Sequence, residues 1–381
     1  MAISLPVLQA EPTTTDRGRV GFYPIQDYRG LSTTELADRI SAARRTLGER
    51  VLILGHNYQR DEVIEHADLR GDSLLLAKYA QQYADRPYVV FCGVHFMAET
   101  ADVLSRSSQT VILPDLAAGC SMADMAAIEQ VEECWEALGR VVPVEEAVMP
   151  VVYVNSAAIL KAFCGEHGGL TCTSSNAKTI MEWSWARREK ILFFPDEHLG
   201  RNTANKMGLP ADQMIVWDPS LPNGGNSPEA IRQASLILWK GHCSVHQMFQ
   251  PAHVDYFRRQ YPDGTVVVHP ECHENVVNKA DLVGSTEYII RTVSAASPGT
   301  TWAVGTELNL VNRLKRELTD KQVFFLSSTV CQCATMYRID APHLCWALDN
   351  LVDGHVVNRI VVPDDEKQWA KVALDRMMAL S

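Results

Sequence analysis

The stretch STVCQCATM holds two cysteines one residue apart, Cys331 and Cys333, among ten in the chain. A thiol can be a metal ligand, a nucleophile, a redox partner or a small core residue, and its position decides which. No Cys-x-x-Cys pair, the strong local signature of zinc or an iron–sulfur cluster, occurs in the sequence. Cys92, Cys134, Cys164, Cys172 and Cys345 lie in or beside apolar runs and read as buried hydrophobes. Cys120 in PDLAAGCSMAD, Cys243 in WKGHCSVHQ and Cys333 just after VFFLSSTV differ. Each follows an apolar stretch at a loop position. That suggests ligands assembled in space rather than in sequence, although any three loop cysteines fit the description.

Such loops must be held by regular elements. STTELADRISAARRTL opens with a Ser32-x-x-Glu35 capping box and puts Leu36, Ile40, Ala43 and Leu47 on one face, which predicts an amphipathic helix. Short apolar runs then alternate with helical stretches: VLIL, YVVFC, VILPD, PVVYV, ILFFPD, MIVWD, TVVVH and TWAVG. Buried strands alternating with helices are the mark of an α/β protein with parallel sheets. Sites in such proteins lie beyond the carboxyl ends of the strands, where His, Tyr, Glu, Asn, Ser and Cys collect here. The number of strands suits several small sheets better than one wide one. We therefore expect three α/β/α sandwich domains at residues 31–135, 136–240 and 241–350. An irregular leader spans 1–30, and a C-terminal segment, 351–381, is available to complete the first domain. No close internal repeat is visible.

The chain has 381 residues, 46% apolar and 21% charged, the composition of a globular protein. A formal net charge of -11 argues against a nucleic-acid partner. The apolar runs are far shorter than the roughly 20 residues that span a bilayer, so no membrane partner is expected. The N-terminus lacks a basic region followed by a long apolar stretch, and ten cysteines without a secretion signal suggest a reducing, cytoplasmic setting.

In order along roughly residues 50 to 350 come GHNYQ, GDSLLLAKYA, FCGVHFMAETADVL, LPDLAAGCSMAD, VVYVNSAA, CTSSNA, LFFPDEHLGRN, GHCSVH, HPEC, VGSTEYII, VGTELNLVNRLKRE and CATM. On these motifs the sequence resembles the quinolinate synthase family. The resemblance implies three similar α/β/α domains in a pseudo-threefold arrangement around a central 4Fe-4S cluster, held by Cys120, Cys243 and Cys333 with one iron left open. CATM from Cys333 matches the family pattern better than the run from Cys331. This chain departs from the pattern at Ala334, where the family commonly has Pro, and at His242 and Ser244 in GHCSVH, yet it keeps each thiol.

The resemblance implies condensation of iminoaspartate with dihydroxyacetone phosphate to quinolinate, with release of phosphate and two waters, in NAD biosynthesis. An L-aspartate oxidase is the implied transient partner. Three thiolates leave one iron free to act as a Lewis acid in dehydration. Tyr58 and Glu271 are implied for proton transfer, with His269 assisting. His56, Asp72, Ser73, Tyr153, Asn155, Thr173, Ser174, Ser285 and Thr286 are implied for substrate binding, the hydroxyls suiting anions held at helix N-termini. PDEHLGRN, with Asp196, Glu197 and His198 adjacent, reads as a structural network, since neighbouring residues converge poorly on one ion. Two other readings compete. One is a cluster-free or zinc-dependent aldolase using His56, His269 and Glu271; the other is an iron–sulfur redox sensor switching through Cys331 and Cys333.

Overall fold

The computed structural model describes residues 22–329 and 332–380. Most of the expected leader and Cys331 lie outside the described residues. The predicted first helix runs Thr33–Leu47. Its capping box is formed, with the Glu35 carboxylate accepting from the Ser32 N–H at 2.9 Å, and Leu36, Ile40, Ala43 and Leu47 are all buried.

Three sheets follow, almost wholly parallel. The first holds β1 (Val51–His56), β2 (Leu69–Gly71), β3 (Tyr88–Cys92) and β4 (Thr110–Ile112). The second holds β5 (Val148–Tyr153), β6 (Leu170–Cys172), β7 (Lys190–Phe194), β8 (Met214–Trp217) and β9 (Leu236–Trp239). The third holds β10 (Thr265–Val268), β11 (Leu282–Val283), β12 (Thr301–Gly305) and β13 (Gln322–Phe325). Every residue of β1 and β5 is buried, as befits parallel strands covered on both faces by helices.

The three sheets share one strand order. They run β4-β3-β1-β2, β6-β5-β7-β9-β8 and β11-β10-β12-β13. In each, the first strand in the chain lies between the second and third, so the connections part on opposite sides between β1 and β3, β5 and β7, and β10 and β12. A crevice opens at such a switch point beyond the strand ends.

The C-terminal part of the chain returns to the earlier sheets. The helix Ala341–Val352 packs on Thr33–Leu47, and its buried residues belong to the core of the first sheet. Next, β14 (Arg359–Ile360) adds antiparallel to the edge of β4. The last helix, Asp364–Met378, lies against the helix Ala158–Glu166 and β6 of the second sheet. This contact is close because Gly165 has no side chain: an added Cβ would collide with the Trp369 carbonyl. Gly165→Ala should therefore cost about 3 kcal/mol by overpacking. A melting temperature unchanged from wild type would refute that.

Candidate active site

The residues singled out by sequence fall at equivalent points of the three sheets. At or just beyond the first strands come His56 and Tyr58, Tyr153 and Asn155, and His269 and Glu271, each pair two residues apart. Beyond the second strands come Asp72 and Ser73, Thr173 and Ser174, and Ser285 and Thr286. Every one of these except Ser285 lines a single cavity, together with Cys120, Cys243 and Cys333. Ser285 caps the helix Thr286–Ala295 by accepting the Tyr288 N–H at 3.3 Å, and it lines a neighbouring cavity. The Asp72 carboxylate is also engaged as a cap, accepting the Leu75 N–H at 2.9 Å. Thr173 stands before a turn, its hydroxyl donating to Asn176 at 3.0 Å, and the Ser73 hydroxyl donates to Asn155 at 3.4 Å.

The three cysteines of the cavity occupy loops of the same build. In each, the cysteine carbonyl accepts the N–H of the fourth residue on, Asp124, Gln247 or Tyr337, at 3.0 Å. A 3-10 turn starts three residues after each thiol, at Ala123, His246 and Met336, and a helix starts eight after, at Ile128, Pro251 and Ala341. These thiols are half-buried, whereas Cys92, Cys134, Cys164, Cys172, Cys272 and Cys345 are fully buried. Burial pushes the Cys120 thiol up to about 12 and Cys243 well above its ordinary range, so neither ionises unless a cation takes up the charge. Backbone N–H groups of Met122 and Ala123 face the Cys120 sulfur, and that of His246 faces Cys243.

The acid–base groups form one hydrogen-bonded chain. The Tyr58 hydroxyl lies 2.8 Å from the Thr286 hydroxyl and 2.9 Å from that of Thr306. Thr306 Oγ1 is 3.3 Å from His246 Nε2, and His246 Nδ1 is 2.8 Å from Glu271 Oε2. Tyr153 donates to Glu271 Oε1 at 2.7 Å. Burial opposes charge on Glu271, but the imidazoles of His269 and His246 and the hydrogen bonds from His246 and Tyr153 outweigh it, so the carboxylate stays ionised. Burial, reinforced by the Glu271 charge, raises both Tyr58 and Tyr153, so the phenols keep their protons.

His56 and His269 are set alike. Nδ1 of His56 accepts the Tyr58 N–H at 3.2 Å and Nδ1 of His269 accepts the Glu271 N–H at 3.3 Å, which leaves the ring proton on Nε2. Burial lowers both imidazoles to about 3, helped by Arg313 at His56 and by His246 at His269. Between the ordinary value of 6.5 and about 3 the unfolded rings bind protons that the folded ones refuse, so stability falls as pH drops through that window. Glu271 adds to the loss only below its ordinary 4.5. Urea unfolding of wild type between pH 6 and 5 should lose about 1.4 kcal/mol per pH unit more than His56→Asn does. Equal slopes for the two proteins would refute the neutral imidazole.

Sequence reasoning missed several supporting groups. Asn202 is buried and donates to the carbonyls of Pro270 and Cys272, each at 2.8 Å, pinning the loop that carries Glu271. Arg313 donates to the carbonyls of Asn57 and Gln59 at 2.9 and 2.6 Å, and Asn309 to that of Tyr58 at 3.0 Å, so the helix Leu308–Glu317 fixes the Tyr58 loop. His246 and Thr306 had been given no role. Their signal was their place just after a cysteine and just after a strand. In PDEHLGRN, Asp196 is a buried cap of the helix Glu197–Lys206, in keeping with a structural network.

Among the described residues no helix is long and apolar enough to cross a membrane. A family model described as Quinolinate synthetase A protein matches residues 38–379. The chain is 57% identical over 358 residues to a quinolinate synthase of Herpetosiphon aurantiacus, covering 93% of this chain and 95% of that one. It is 53% identical over 382 residues to a quinolinate synthase of Rhodopirellula baltica, covering 97% of each.

Proposed function

The chain belongs to the quinolinate synthetase A family and is an enzyme of the quinolinate synthase type, and from that premise we propose that it condenses iminoaspartate with dihydroxyacetone phosphate, releasing phosphate and two waters. One observation carries this finer reading: all the expected residues but Ser285 line one cavity at the switch points of the three sheets.

Cys120, Cys243 and Cys333 are read as the ligands of a 4Fe-4S cluster. The donor set fits, since three half-buried thiols reach one cavity from loops of one build, with backbone N–H groups directed at two of the sulfurs. When bound, a cluster with one iron free of protein ligands supplies Lewis acidity toward a substrate oxygen. The side chains do the rest. Glu271, ionised at neutral pH, takes the proton from carbon beside the triose carbonyl. Tyr58, still protonated, donates to an oxygen that gains charge as that proton leaves. His56 and His269 present Nε2–H as neutral donors. Ser73, Asn155, Ser174 and Thr286 hold the carboxylates and phosphate, aided by the N-termini of the helices Ser73–Gln82 and Thr286–Ala295.

The common strand order supports three α/β/α domains at 31–135, 136–240 and 241–350 in a pseudo-threefold arrangement, with Ala341–Val352 and β14 completing the first. A cytoplasmic setting, and hand-over of the unstable imine from an L-aspartate oxidase, belong to the same reading.

Protein purified without oxygen and given both substrates should release quinolinate and phosphate in equal amounts. Phosphate without a pyridine product would sink the reading. A second reading has its own support, because ligand atoms of Cys243, His246 and Glu271 lie within 4.8 Å of one another and could hold a single zinc. Iron with acid-labile sulfide in the active protein favours the cluster; zinc alone favours the aldolase.

A further inference from the structure

Next to the reaction cavity lies a second chamber of about 420 Å³, within the range of small-molecule clefts, roughly 300 to 1,000 Å³. It sits between the second and third sheets and adjoins the first cavity closely. Ser174 lines both, Pro270 lies between His269 and Glu271, and Ser285 precedes Thr286.

The lining is cationic in a chain whose formal net charge is -11. Lys178, Lys206 and Arg291 face Glu287 alone among charged side chains. Lys206 donates only to a neutral group, the Val283 carbonyl at 3.4 Å, and Arg291 has no carboxylate partner among the described residues. Lys178 has only a loose pairing with Glu182 at 3.7 Å, both side chains being exposed. The helices Ala177–Trp185 and Thr286–Ala295 begin at this chamber, adding the positive ends of their dipoles. Structural pairing does not account for these cations, and a local positive field in an acidic protein concentrates anions.

We propose that this chamber is an anion vestibule that holds a phosphate group outside the reaction cavity. It deepens the function proposed above and rests on it, since there a phosphate ester enters and free phosphate leaves. Both share the same phosphoryl chemistry, and Lys206 and Arg291 are the groups that recognise it.

Calorimetric titration of the intact protein at low salt tests this with two probes, inorganic phosphate and glycerol 3-phosphate, the latter standing for the phosphoryl end of a triose phosphate. Wild type should bind either probe, each displacing the other, and added salt should weaken both. The double variant Lys206→Gln/Arg291→Gln should bind both roughly tenfold more weakly. Its KM for the triose phosphate should rise in parallel. Because both side chains are exposed, an unchanged melting temperature is expected to confirm the fold, and Lys178→Gln provides an independent check with a smaller loss. Binding of inorganic phosphate alone would assign the chamber to the leaving group only and overturn its role in substrate entry. Equal affinities in wild type and double variant would overturn the vestibule altogether. Binding that depends on Lys206 and Arg291 in a protein that makes no quinolinate would leave the vestibule standing and sink the proposed reaction instead.

Discussion

Glu271→Gln should lower turnover roughly a thousandfold, within the range expected for loss of a general base. The carboxylate accepts from Tyr153 at 2.7 Å and lies 2.8 Å from His246 Nδ1, and it is buried with its charge intact. An amide keeps one acceptor oxygen but turns an N–H₂ toward the other donor and cannot take a proton. The fold should tolerate the change far better than the chemistry does, because Asn202 and Gln247 hold this loop through its carbonyls rather than through the carboxylate. Rapid-mixing assays of quinolinate formation give the comparison, and a variant within threefold of wild type would remove Glu271 from the proton-transfer role. Tyr58→Phe should fall less steeply, since Thr286 and Thr306 remain to donate toward the vacated position.

Cys120→Ser, Cys243→Ser and Cys333→Ser should each lose most of their iron and all measurable product, whereas Cys331→Ser should retain both. The distinction between Cys331 and Cys333 rests on backbone register. Counting from Cys333 reproduces the frame of the other two loops, with the carbonyl bonded to the fourth residue on, a turn at the third and a helix at the eighth. Counting from Cys331 breaks it by two residues. Iron and sulfide measured on protein purified without oxygen decide the matter, and an iron-free Cys331→Ser beside an iron-loaded Cys333→Ser would reverse the assignment.

The sequence was most informative where burial is continuous. The eight apolar runs all contain strands, because parallel strands covered on both faces need unbroken apolar side chains. The edge strands β2, β6, β11 and β14 escaped notice. At two or three residues each they are too short for a pattern, and tertiary pairing defines them. The repeat escaped for a related reason. HNY, YVN and HPE share no residue at matching positions, yet each ends a first strand with two side chains directed to the same cavity. Backbone topology is common to the three while the chemistry differs. Among the cavity residues, those in distinctive motifs were legible, such as His269 and Glu271. His246 and Thr306 were not, because each joins the site only through partners distant in sequence.

The return of the chain to its first sheet affects how the protein must be made. Helix Thr33–Leu47 emerges from the ribosome early, but the surface it rests on, Ala341–Val352, is among the last parts translated, and β4 waits as an open edge until Arg359–Ile360 appears. At about 5 to 20 residues per second the interval is roughly ten to fifty seconds. During it, the second and third sheets can close while the N-terminal one stays unfinished, its apolar flank a target for chaperones. Biosynthesis therefore completes this molecule from the middle outward, and a message cut short near its 3′ end forfeits the beginning of the fold as well as its end.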